Sequence, residues 1–205
     1  MPLKVCHVLT RLILGGADEN TLLTACHADR SRFEVSLAYG AECDDAHLRT
    51  AHEHGVNTRQ FPRLINRPAP VLDTMVIREM AGWMRDEGFH IVHTHQTKGG
   101  FVGRVAAHLA GVPIIIHTVH GWGFGSLDIW WLDAVLRSFE RFTARWCDAI
   151  FFVCDNLRRQ AIEMRIGRPE IFKTVYSGIV LERYIEPSRR AQRQPDSPLV
   201  VATIT

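Results

Sequence analysis

A chain of 205 residues, 46% hydrophobic and with a formal net charge of +2 at pH 7, has the size and composition of one globular domain, or of one domain and the start of another. The near-neutral balance gives no basis for a nucleic-acid partner, and no apolar run approaches the ~18 residues of a membrane-crossing helix. Met1–Lys4 passes directly into an apolar strand, which leaves no room for a signal peptide. Five cysteines (Cys6, Cys26, Cys43, Cys147, Cys154) lack CxxC spacing and are odd in number. They read as free thiols in a reducing, cytoplasmic compartment.

The first strand is expected over Lys4–Leu9. The turn after it ends in Gly15-Gly16 and opens a helix over Ala17–Asp29. A glycine pair lets backbone approach a phosphate, and a helix N-terminus stabilises its charge. Gly15 and Gly16 are therefore candidate diphosphate contacts, and an ordinary tight turn accounts for them equally well. The pair is neither a GxGxxG fingerprint nor a P-loop. Asp18 and Glu19 fall in the first helical turn, where acidic residues suit the helix dipole.

Strands at Phe33–Tyr39 and Asn57–Phe61 then alternate with helices at Asp45–Glu53 and Val71–Glu87. Short, mostly apolar strands alternating with amphipathic helices predict an α/β fold, a Rossmann-like parallel sheet with helices on both faces.

The segment from residue 89 to 124 carries the most chemistry. A strand over Phe89–Thr94 leads to His93 and His95, and a helix over Lys98–Ala110 is closed by Gly111 and Pro113. A strand over Pro113–Val119 leads to His117 and His120, with Gly121 and Gly123 beyond. Open α/β sheets bind ligands at the carboxyl ends of their strands. A histidine there can act as acid, base or hydrogen-bond donor at neutral pH, although a satisfied structural histidine explains any single one. His93 and His95 are expected on opposite faces of their strand, so that at most one faces a given cleft, and His117 and His120 are expected to diverge. Their spacing fits no zinc signature and no cysteine or carboxylate completes a set, so no metal site is expected. Lys98 can reach a phosphate, but as a single residue it reads as a surface lysine. Trp122, Phe124, Trp130 and Trp131 crowd the next stretch. Such aromatics stack on sugars but more often build core.

A helix over Asp128–Trp146 places Leu132, Val135, Leu136, Phe139, Phe142 and Trp146 on one face, expected to be buried. The row Arg137, Arg141, Arg145 then reads as solvated rather than lipid-binding, because the apolar face is needed by the sheet. A strand over Ala149–Val153, a helix over Asn156–Met164 capped by Asp155 or Asn156, and a strand over Phe172–Tyr176 complete one domain, expected over residues 1–186. Residues 187–198 read as a linker. Residues 199–205 read as the first strand of a further domain, since a lone strand of ~6 residues forms no domain by itself.

Several stretches together resemble the family 4 retaining glycosyltransferases, which have the GT-B fold. Gly15-Gly16-Ala17-Asp18 is similar to that family's Gly-Gly-x-Glu. Residues 93–122, HTHQTKGGFVGRVAAHLAGVPIIIHTVHGW, resemble its fourth-strand to fifth-strand stretch. Asp148–Cys154 and Lys173–Ile179 resemble two later motifs, with Cys154 and Ser177 in place of serine and asparagine. The resemblance runs from about residue 4 to 184 and implies the amino-terminal, acceptor-binding half of a GT-B enzyme. The implied reaction moves a sugar from a nucleotide diphosphate sugar to a hydroxyl of a carbohydrate or lipid-linked acceptor with retention, in polysaccharide or glycolipid assembly. No metal or other cofactor is generally required, and peripheral contact with the inner face of a membrane is common. Carried over by position, Gly15 and Gly16 would approach the donor diphosphate, and His120 would be the active-site histidine near the transferred sugar. Asp18, His95, Lys98 and Trp122 would be substrate contacts, the last three on the acceptor side. Most donor contacts belong to a carboxyl-terminal donor domain, so the 205 residues alone are expected to fold, to bind nucleotide sugars poorly and to be inactive. Two alternatives stand beside this reading: a nucleotide-sugar epimerase of GT-B fold, and a non-catalytic domain that binds an acceptor or partner.

Overall fold

The computed structural model describes residues 1–124 and 130–180, so the expected linker and the strand-like run after it lie outside the described residues. Seven strands alternate with six helices: β1 (Leu3–Val8), α1 (Gly16–Cys26), β2 (Phe33–Tyr39), α2 (Asp45–Glu53), β3 (Asn57–Gln60), α3 (Pro70–Glu87), β4 (Ile91–His95), α4 (Thr97–Ala110), β5 (Ile114–Val119), α5 (Trp130–Thr143), β6 (Ala149–Phe152), α6 (Asp155–Glu163) and β7 (Phe172–Thr174). All pair in parallel in one sheet, in the order β3-β2-β1-β4-β5-β6-β7. This is the Rossmann-like α/β arrangement expected from the alternation. The order reverses between β1 and β4, and a crevice opens at the carboxyl edge of a sheet where that happens.

The sheet buries apolar side chains on both faces. On the α1 and α2 side, Leu22 of α1 packs in one cluster with Leu9, Val35 and Leu37. Under α3 and α4 lie Val8, Val92, Met80, Met84, Val102 and Ala106, a core that continues through Ile150 and Phe152. Helix α4 sits close to the sheet because it has glycines where it touches. A Cβ on Gly103 would stand 2.8 Å from the Thr94 methyl and 3.0 Å from Val8 Cγ1. One on Gly99 would stand 2.6 Å from the Thr10 backbone nitrogen.

Helix α5 departs from the expected burial. Val135, Phe139 and Phe142 are 39%, 44% and 47% exposed, and Trp130 and Trp131 are 82% and 55% exposed. The helix turns Glu140 and Thr143 inward instead. The reason is an ion pair. Arg104 of α4, fully buried, places Nη2 2.7 Å from Glu140 Oε2 and donates from Nε to the Gly100 carbonyl at 2.8 Å. A buried charge must be paired, so the pair sets the rotation of α5 and leaves part of its apolar stripe outside. Trp146 falls in a 3₁₀ turn after the helix and stacks on His108. Helix α6 is not capped by Asp155 or Asn156. Cys154 precedes it, and the Asp155 carboxylate accepts from Thr174 Oγ1 at 2.6 Å and from the Tyr176 hydroxyl at 3.3 Å. All five cysteines are free thiols.

Candidate functional site

The loop after β1 and the start of α4 are tied together at the switch point. The Thr10 backbone N–H donates to Gln96 Oε1 at 2.9 Å, and the Gly99 N–H donates to Thr10 Oγ1 at 2.8 Å. Gln96 itself has φ +62°, the left-handed region that non-glycine residues rarely occupy. Its side chain explains why the conformation holds, because Nε2 also donates to Asp18 Oδ1. Asp18 Oδ2 accepts from the Ile13 N–H at 3.2 Å. Asp18 is therefore buried with both oxygens engaged, and burial pushes its carboxyl up to about 6. Asp18 thereby braces the loop against Gln96. Sequence reasoning passed over Gln96, since no propensity marks glutamine for a left-handed turn.

That bracing presents the start of α1. Among the described residues, a Cβ on Gly16 would meet nothing within 4 Å, and no side chain caps the helix. Its N-terminus opens into a cavity of about 720 Å³ lined by Leu14, Gly16, Ala17, Asn20, His47, His120, Val153 and Ser177–Val180, among others. The structure thus brings the glycine-pair loop and His120 together on one cavity.

His7, His93 and His95 share one face of the sheet, and His120 follows at the end of β5. His7 of β1 is the register partner of His93 of β4, and His95 follows two residues later. Side chains two apart share a strand face, so the expectation of opposite faces for His93 and His95 is wrong, and their ring centroids lie 4.3 Å apart. His7 Nδ1 and His95 Nε2 are 3.0 Å apart, and His95 Nδ1 and His120 Nε2 are 3.2 Å apart. His93 Nε2 is 2.7 Å from Thr118 Oγ1. His117 diverges from His120 as expected, pairing with Thr94 Oγ1 at 2.9 Å. Burial lowers His7 and His120 to about 4 and holds His93, His95 and His117 well below the ordinary imidazole value. All five rings are neutral at pH 7.

Three of the expected substrate contacts are not part of the lining of that cavity. His95 is 2% exposed and lies behind His120. Lys98 Nζ is 2.8 Å from Asp73 Oδ1 and also donates to the Arg67 carbonyl, which ties α4 to α3. Trp122 stacks on Phe124 and donates from Nε1 to Gln160 Oε1 at 2.8 Å, outside the large cavity. Among the described residues, His7, His93 and His95 bring three ring nitrogens within 4.8 Å of one another, a convergence the sequence spacing did not suggest.

The family model of the glycosyl transferase 4-like domain matches residues 15–173. The chain belongs to that family. This 4-like domain is 26% identical over 183 residues to the Escherichia coli UDP-Gal:alpha-D-GlcNAc-diphosphoundecaprenol alpha-1,3-galactosyltransferase, a match that covers 89% of the chain and 46% of the enzyme. The chain spans about half the length of the curated relative it matches. Among solved structures, Anabaena HepE in complex with UDP and glucose superposes with a TM-score of 0.65 at 17% identity, covering 91% of the chain and 47% of HepE. A putative UDP-N-acetylglucosamine 2-epimerase from Listeria monocytogenes superposes with a TM-score of 0.62 at 14% identity, covering 84% and 44%. The 4-like domain therefore has the fold of one half of GT-B proteins, a fold that transferases and epimerases share.

Proposed function

We propose that this domain is the amino-terminal half of a two-domain glycosyltransferase that moves a hexose from a nucleotide diphosphate sugar to a hydroxyl of a carbohydrate or lipid-linked acceptor, with retention. The observation that supports this most is the meeting of the α1 N-terminus at Gly16, uncapped among the described residues, with the neutral ring of His120 on one cavity. Free N–H groups at a helix start suit a diphosphate. A neutral imidazole beside them can hydrogen-bond the sugar as charge develops on the leaving phosphate. A carboxyl-terminal domain would supply the remaining donor contacts. The name of the Escherichia coli relative makes UDP-galactose and a diphospholipid-linked sugar the first pair to try.

The test is product analysis with the complete protein and that pair, with and without acceptor. Transfer to the acceptor, with the anomeric configuration of the donor kept, is the expected result. Inversion would remove the retaining assignment. Conversion of the nucleotide sugar to its epimer without acceptor would replace transfer by epimerisation.

No helix among the described residues is long and apolar enough to cross a membrane. The exposed stripe of α5 suits a shallower contact. Trp131, Val135, Phe139 and Phe142 share one side of the helix, and Arg141 and Arg145 flank them, exposed. Apolar side chains bordered by arginine fit the surface of an anionic bilayer, where a lipid-linked acceptor would be found. Co-sedimentation with phosphatidylglycerol vesicles is expected to fall several-fold in Trp131→Ser/Phe142→Ser and to weaken with salt. Equal binding by parent and variant would remove α5 from the contact.

A further inference from the structure

The rings of His7, His95 and His120 form an unbroken line from the buried interior of β1 to the cavity, joined by contacts of 3.0 and 3.2 Å. We propose that these three rings behave as one directional unit, in which His7 and His95 are positioning residues that fix whether His120 presents a donor or an acceptor to the cavity. The argument needs only proton counting. A neutral imidazole has one N–H and one lone pair, and His95 has both its nitrogens against other imidazoles. If His95 Nδ1 donates to His120 Nε2, then His95 Nε2 accepts from His7 Nδ1. All three are Nδ1–H tautomers, and His120 keeps an N–H for the cavity. If His95 Nε2 donates to His7 Nδ1, its Nδ1 accepts from His120 Nε2. All three are then Nε2–H tautomers, and His120 keeps a lone pair. Any mixture sets two protons or two lone pairs against each other in a buried place, which forfeits a hydrogen bond and leaves polar atoms unsatisfied. His120 Nδ1 has no partner among the described residues and His120 lines the cavity, so the state the three rings share is presented there.

The same rings suggest a rival use, because nitrogens of His7, His93 and His95 lie within 4.8 Å of one another. Two features favour the hydrogen-bonded unit over a divalent cation. His7 and His95 already satisfy each other at 3.0 Å. Among the described residues, none of the three rings hydrogen-bonds to a carboxylate that would balance the cation or orient its ligands.

The experiment is long-range proton–nitrogen NMR on the 205-residue chain labelled with ¹⁵N-histidine. Near pH 7, His7, His95 and His120 are expected to be neutral and to share one tautomer. His95→Phe, which fills the space without the link, is expected to leave His120 as a mixture of both. His95→Gln, which donates and accepts at once, is expected to restore a single state. Different tautomers at His95 and His120 in the parent would overturn the proposal, and that spectrum decides even if the variants fail to fold. So would one equivalent of Zn²⁺ shifting the nitrogens of His7, His93 and His95 together, because those rings would then be metal ligands. The link to turnover rests on the transferase reading. Under it, His95→Phe in the complete enzyme is expected to lower kcat on the order of tenfold or more with KM little changed. Coupled tautomers with an unchanged kcat would leave the unit standing and count against His120 as a transferase residue.

Discussion

His120→Ala in the complete enzyme is expected to lower turnover on the order of a hundredfold or more, a loss of ~2–4 kcal/mol of transition-state stabilisation. His108→Ala, made alongside, is expected to stay near the parent. The contrast follows from where the two rings sit. His120 lines the cavity with Nε2 committed to His95, and burial lowers it to about 4, so it meets a ligand as a neutral group already held in place. An oriented donor or acceptor in a site with little water stabilises developing charge without having to reorganise. His108 is exposed on α4 and lies flat on Trp146, with ring centroids 4.3 Å apart. Steady-state rates of both variants, after matching their melting curves to the parent, make the measurement. Parent-like turnover in His120→Ala would reduce that histidine to a structural part.

Glu140→Ala is expected to cost ~3–5 kcal/mol of folding stability, the usual consequence of leaving one member of a buried ion pair without its partner. Arg104 is fully buried and Glu140 is 4% exposed. Without Glu140 the buried guanidinium loses its carboxylate partner. A loss of that size is a large fraction of the ~5–15 kcal/mol that holds a typical domain together. Arg104→Met/Glu140→Leu, which removes both charges and keeps the volume, is expected to return most of the stability. Urea titration of the 205-residue chain reads all three proteins. A cost below about 1 kcal/mol, the range of exposed pairs, would mean that water reaches the pair and that something else orients α5.

The order of elements was legible in the chain because Gly, Pro and the spacing of apolar residues mark where strands stop and helices begin. Phe33–Tyr39 and Asp45–Glu53 fall where the sequence puts them, and the other described elements differ by a few residues at their ends. The family was legible for a related reason. The Gly15-Gly16 turn and the His93–Trp122 stretch are local strings whose order survives without knowledge of contacts, and they fall within the matched residues 15–173.

What the sequence left hidden are partners distant along the chain. Asp18 looks like a first-turn carboxylate until Gln96, 78 residues on, is seen to hold it. Lys98 finds Asp73 and Trp122 finds Gln160, pairings that no local pattern encodes. The rotation of α5 depends on Arg104, 36 residues before Glu140. Amphipathic spacing shows that a helix has an apolar side but not how much of it a neighbour covers. His93 and His95 are a different case. Their two-residue spacing did contain the answer, and the parity of the strand was misjudged.

Three of the glycines around the site divide into two kinds, with a mechanical consequence. Gly99 and Gly103 leave no clearance between α4 and the strands beneath it, whereas Gly16 faces open space. Helix α4, with β1 and β4 under it, is thus a stiff plate that cannot slide without collision. Among the described residues, the first turn of α1 has no such obstruction at Gly16. Local compliance toward an arriving ligand is therefore concentrated on the α1 side of the cavity, while the plate behind His120 stays fixed. Any larger closure would have to carry that plate as a rigid body.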